Sequence, residues 1–159
     1  MSIPAKRKIL MDYRQFSTNA AGLGVLLRPQ NDNMMTCEAI IFGPDQTEFE
    51  GGVFRLLMEF SDKYPNEPPK VRFLTKMFHP NIYANGDICL DILGKAWTRA
   101  YGCLSILTSI QSLLTDPNPD SPANATAAGL FTEAKGDRNA EYYQKVSQCV
   151  EDSWVYTAP

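Results

Sequence analysis

Residues 23–73 keep an apolar–polar period of two, with only short turns between the runs, so the sheet they build has to be antiparallel. Leu23-Val25-Leu27 and Ala39-Ile41 read as strands, separated by the turn formers Pro29-Gln30-Asn31-Asp32-Asn33. Gly43-Pro44-Asp45 and Gly51-Gly52 bracket a second turn. Alternation is cleanest over residues 53–60, where Phe54, Leu56, Met58 and Phe60 fall on one face and Arg55 and Glu59 on the other. Tyr64-Pro65-Asn66-Glu67-Pro68-Pro69 then interrupts the chain before a short strand over residues 70–74. A parallel return needs a crossover of roughly a dozen residues or more, and none of these connections has a helical pattern. The spacing predicts a four-stranded antiparallel meander.

Helical spacing flanks it. Ser2 and Pro4 suit an N-cap and a first turn. Ile9, Tyr13 and Phe16 follow at helical intervals, with Lys6, Arg7 and Lys8 on or near the exposed side and Asn19 and Gly22 as the stop. Cys103, Leu107, Ile110 and Leu114 mark a second helix that ends at Asp116-Pro117-Asn118-Pro119. Residues 122–131 suit a short third helix. Asp137 is the expected cap of a last one, carrying Tyr142, Val146, Cys149 and Ser153 on one face. A helix, four strands and then helices make an α+β arrangement.

Composition narrows the function. The chain has 159 residues, 44% hydrophobic and 21% charged, which is ordinary for one globular domain. A domain of this size needs neither metal nor disulfide to fold. A formal net charge of -3 offers no broad basic footprint, so direct nucleic-acid binding is not expected. No apolar run approaches the roughly 20 residues that span a bilayer. The start, MSIPAKRKILMDY, lacks the apolar core and cleavage site of a secretory signal, so a soluble intracellular protein is expected. The four cysteines form no C-x-x-C pair, and the single histidine, His79, cannot complete a zinc set.

Residues 75–101 have little periodicity, and a loop that long in a compact domain is usually functional. It holds His79-Pro80-Asn81, then Asn85-Gly86, then Cys89-Leu90-Asp91. On residue type alone Cys89 is either a nucleophile or a small buried apolar residue. A cysteine hydrolase would need a base, and His79 is the one candidate, its backbone restricted by Pro80.

FHPNIYANGDICLDIL, at 78–93, resembles the active-site signature of ubiquitin-conjugating enzymes. GGVFRLLMEF, the Y-P-x-x-P-P turn at 64–69, Trp97, SILTSIQSLL at 105–114 and DPNPDSPAN at 116–124 follow the family in the same order. The resemblance runs from about Ser2 to Trp154. MSIPAKRK, NIYANGDICLDIL and SILTSIQSLL are similar to the small, tail-less branch of post-replication DNA repair and histone ubiquitination.

The resemblance implies a single catalytic domain over 1–159, with no extension beyond a short C-terminal tail, in the cytoplasm and nucleus. It implies that Cys89 takes ubiquitin from the activating enzyme by thiol exchange and passes it to a substrate lysine, usually with a RING-type ligase. The incoming thioester supplies the driving force, so no ATP, cofactor or metal is expected on this chain. Asn81 is implied to be the oxyanion donor, or to hold the loop that provides one. Tyr83 and Ser121 match positions that desolvate and orient the lysine, with Asp91 and Asp120 near in sequence. Ser121 stands where several relatives carry an acid; it also reads as a helix cap before Pro122, or as a phosphorylation site. His79 reads as a structural part of its turn.

Lys6 and Arg7 belong to a helix that contacts the activating enzyme and ligases in the family; with Lys8 they also read as a solvated face or a nuclear signal. The ligase site extends to Asn66 and to the loop around Arg99. Many relatives have an aromatic residue at the first position and a proline at the second, and a guanidinium in place of a flat apolar ring is expected to alter ligase choice. Cys37 stands where a tryptophan is common, and is expected on the strand face remote from Cys89. An inactive scaffold that binds ubiquitin or a conjugating enzyme, and a conjugating enzyme for a related modifier, are the rival readings.

Overall fold

The computed structural model describes residues 3–30 and 32–155, with the side chains of Ile3 and Pro4 outside the description. Helix α1 spans Ile3–Asn19. Strands β1 (Val25–Gln30), β2 (Asn33–Phe42), β3 (Val53–Glu59) and β4 (Lys70–Phe73) form one sheet in the order β1-β2-β3-β4. All three pairings are antiparallel, as the period-two pattern requires. Helices α2 (Cys103–Thr115), α3 (Ala125–Ala134) and α4 (Glu141–Asp152) complete the α+β fold.

One sheet face is the core. Phe54, Leu56 and Met58 on β3 and Cys37, Ala39 and Ile41 on β2 are buried together with Ile9 and Phe16 of α1 and Ile106, Leu107 and Ile110 of α2. The opposite face carries Glu38, bonded to Arg28 and Arg55 at 3.3 Å each. Successive strand residues point to opposite sides, so one alternating pattern yields both surfaces.

Several expectations shift. Cys37 is not on an outward face: it is fully buried in the core, and its register beside Met58 places it there. Leu23 lies outside β1 and is exposed, because the strand starts at Val25. Pro29 and Gln30 are strand residues rather than turn residues, with a register break between them. Proline is tolerated there because β1 is an edge strand. Asn124, not Ser121, caps α3, its side chain accepting from the Ala127 N–H at 3.0 Å. Asp137 does not cap α4, which starts after Ala140; its carboxylate accepts from Asn139 N at 3.0 Å in a tight turn instead. Lys8 is turned inward, 2.7 Å from the buried Asp12, while Lys6 and Arg7 are exposed. The expected cap Ser2 lies outside the described residues.

The burial difference along β3 is testable. Leu56→Ala should lower the unfolding free energy by about 3 kcal/mol, and Leu57→Ala, on the half-buried side, by less than half as much. Urea unfolding midpoints at constant slope would measure both; equal losses would contradict the assigned faces.

Candidate active site

The long loop meets its backbone hydrogen-bonding needs with a small hairpin. Cys89 N donates to Asn81 O at 2.8 Å, Ile82 bridges Ile88, and Tyr83 N donates to Asp87 O at 2.9 Å. Gly86 N closes the turn on Tyr83 O at 2.9 Å. Gly86 has a φ of +95°, and a Cβ there would lie 2.0 Å from the carbonyl oxygen of Phe73, so Asn85-Gly86 is fixed by both conformation and contact. Phe73 N donates to Gly86 O at 2.9 Å and Arg72 bridges Asp87, docking the hairpin on the free edge of β4. The sheet thereby places Cys89.

The three residues His79-Pro80-Asn81 tie this hairpin to three other segments. His79 is fully buried; its Nε2–H donates to Leu113 O (2.7 Å) near the end of α2, and Nδ1 accepts from Asn81 N (3.0 Å). Pro80 O accepts from Ala123 N and Asn124 N at 2.8 and 3.0 Å, at the start of α3. The Asn81 amide faces the intervening loop. Its Nδ2 donates to Asn118 O (2.7 Å) and Ser121 O (3.1 Å), and its Oδ1 accepts from Asn118 N (2.7 Å). Asn118 was not singled out from the sequence. A signal existed in the Asn-Pro-Asp run, whose backbone groups no helix or strand can satisfy.

Of the four cysteines, Cys37, Cys103 and Cys149 are buried and Cys89 is half-exposed. Burial pushes the Cys37 thiol up to about 12 and raises Cys103 and Cys149 as well, leaving them in the unreactive thiol form. His79 is no base for Cys89, because both its ring nitrogens are engaged elsewhere.

Tyr83 is exposed on the same hairpin as Cys89. Asp91 is exposed and opens a 3-10 turn, Asp91–Leu93, two residues after the cysteine. Ser121 is exposed on the loop held by Asn81. Exposed Asn66 and Arg99 flank a second junction, where Trp97 Nε1 donates to Pro65 O at 2.9 Å. Lys6 and Arg7 lie on α1, apart from the hairpin in the chain. Among the described residues no group of three metal-ligating side chains could hold an ion, and no helix is long and apolar enough to cross a membrane.

Burial pushes the His79 imidazole from its ordinary 6.5 down to about 4, against the opposing pull of the Leu113 and Leu114 carbonyls. The unfolded chain then binds a proton between pH 6.5 and pH 4 that the folded chain refuses. Stability present above pH 6.5 should fall by roughly 3 kcal/mol as pH drops through that window. In urea titrations from pH 7 to pH 4, His79→Asn should be less stable at pH 7 and have a flatter profile; parallel profiles would refute the assignment.

Comparison with known proteins places this geometry in a family. A family model described as ubiquitin-conjugating enzyme matches residues 9–150. The chain is 51% identical over 155 residues to "Ubiquitin-conjugating enzyme E2 2" of Mycosarcoma maydis, covering 98% of this chain and 81% of that protein. It is 52% identical over 154 residues to the protein of the same name from Saccharomyces cerevisiae, covering 97% and 87%. With "Ubiquitin-conjugating enzyme E2 1" of Caenorhabditis elegans it shares 50% identity over 155 residues, covering 98% and 78%. The chain belongs to the ubiquitin-conjugating enzyme family, transferases that act through a cysteine thioester.

Proposed function

We propose that Cys89 is the residue that forms the thioester. The observation that supports it is accessibility: of the four thiols, Cys89 alone escapes burial, at the end of a hairpin fixed to β4. Its thiolate attacks the ubiquitin thioester on the activating enzyme; a new C–S bond forms, the old one breaks, and the activating enzyme regains its thiol. A substrate lysine amine then attacks that carbonyl, a C–N bond forms, the C–S bond of Cys89 breaks, and the proton lost by the amine returns to the leaving sulfur. Exchange between thioesters is nearly neutral and amide formation is downhill, so neither step needs a nucleotide on this chain.

Asn81 acts in this reading as a positioning residue. An amide has two N–H donors, and both point at loop carbonyls, which leaves none for an oxyanion in this arrangement. Tyr83, Asp91 and Ser121 flank the incoming lysine, and desolvation there favours its neutral, nucleophilic form. The activating enzyme and a RING-type ligase dock on Lys6 and Arg7 of α1 and on Asn66 and Arg99 at the Trp97 junction, with Arg99 biasing ligase choice. Action in post-replication repair and on histones, in cytoplasm and nucleus, rests on the likeness of MSIPAKRK, NIYANGDICLDIL and SILTSIQSLL to that branch.

With activating enzyme, ATP and ubiquitin, the chain should form a thiol-sensitive adduct that Cys89→Ala abolishes and Cys89→Ser makes thiol-resistant. An adduct that survives Cys89→Ala sinks the assignment; an adduct only with another modifier and its own activating enzyme moves the chain to that modifier. Asn81→Ala should slow discharge to free lysine about a hundredfold and also speed hydrogen exchange at the Asn118 amide. The same slowing with unchanged exchange would assign Asn81 as the oxyanion donor instead.

A further inference from the structure

Among the described residues, one carboxylate is buried, and it lies on α1. Ala5, Ile9, Asp12 and Phe16 form the buried stripe of α1, so a carboxylate occupies a core position. Its side chain is 1% exposed. An isolated carboxylate there would be costly, and Asp12 has two hydrogen-bonding partners. Lys8 Nζ reaches Oδ1 at 2.7 Å from one turn away. The Tyr64 hydroxyl donates to Oδ2 through a short hydrogen bond across 52 residues of sequence. The backbone ahead of α2 passes close by: a Cβ on Gly102 would lie 2.9 Å from Oδ1. A carboxylate near a helix N-terminus is favoured by the dipole.

These partners lead to the surface segments assigned above to docking. Tyr64 opens the 64–69 turn and lies against Trp97, the rings tilted with centroids 6.0 Å apart. Trp97 lies 5.7 Å from the Tyr101 ring and bonds Pro65, next to Asn66. Lys6 and Arg7 stand two and one residues before Lys8, on the exposed side of the same helix. One carboxylate thus joins α1 to the 64–69 turn, and the 97–101 loop follows through the Tyr64–Trp97 contact.

The geometry points to Asp12 as a positioning residue for partner docking, holding these three segments in one arrangement from beneath while taking no part in chemistry at Cys89. The inference rests on the docking assignment above. It separates Lys8, an internal counter-ion, from Lys6 and Arg7, which face partners.

The test compares the wild-type chain with Asp12→Asn and Tyr64→Phe in two assays. One is the rate of ubiquitin loading by activating enzyme as the chain concentration is varied; the other is discharge of the purified thioester to free lysine, which needs no docked partner. Each variant should raise the KM for loading at least about fivefold, with kcat and free-lysine discharge held within about twofold. The double variant should be no worse than the worse single, because both break one clasp. A KM within twofold of wild type in both variants overturns the proposal, and so does discharge that falls in step with loading, the mark of general damage. A wild-type chain that forms no thioester overturns the reading beneath it as well.

Discussion

A four-stranded meander with one buried face leaves a problem that the rest of the chain has to solve. Its inner surface needs a cover, and α1 and α2 supply it, one preceding and the other following the sheet in sequence. The 29 residues between the end of β4 at Phe73 and the start of α2 at Cys103 must then pass around the sheet without a regular element longer than a 3-10 turn. Backbone N–H and C=O groups cannot be left unpaired along such a path. The chain answers with a hairpin on the β4 edge and a tripeptide that bonds to α2, to α3 and to the loop between them. The reactive-site geometry is a by-product of satisfying that backbone.

Two polar residues carry much of this organisation from inside. Asn81 is 1% exposed and Asp12 3%. Each is hydrogen-bonded through both polar atoms of its side chain, and each joins segments far apart in sequence. They act at different places. Asn81 fixes the surroundings of Cys89, whereas Asp12 lies under the junction where Trp97 meets Pro65. In the proposed assignment, chemistry and recognition stand on separate supports.

How far the sequence foretold this depends on the kind of signal. The alternation of Phe54, Leu56, Met58 and Phe60 reports burial directly, and the strand and its faces followed from it. Cysteine 103 and its helical successors likewise located α2. Helix starts were harder, because Ser121, Asn124 and Asp137 are all competent caps and only the path of the chain selects Asn124. Cys37 was misplaced because a likeness at one position does not say which way a strand faces; register does. Asp12 was legible in principle, lying on the stripe of Ile9 and Phe16 and four residues from Lys8, but hydrophobic spacing alone passes over a carboxylate. For Asn118 the Asn-Pro-Asp run signalled backbone groups in need of partners, but not which partner, since Asn81 stands 37 residues away.

The engaged imidazole of His79 has a consequence for time rather than for rate. In a cysteine hydrolase the histidine beside the sulfur readies water to attack the acyl group. Here that ring is locked into the protein interior with both nitrogens occupied. In the proposed reaction, an acyl group on Cys89 is thus spared that histidine-assisted route to hydrolysis. A courier must keep its parcel between collection and delivery, and the wrong neighbour for a hydrolase is the right one for a courier.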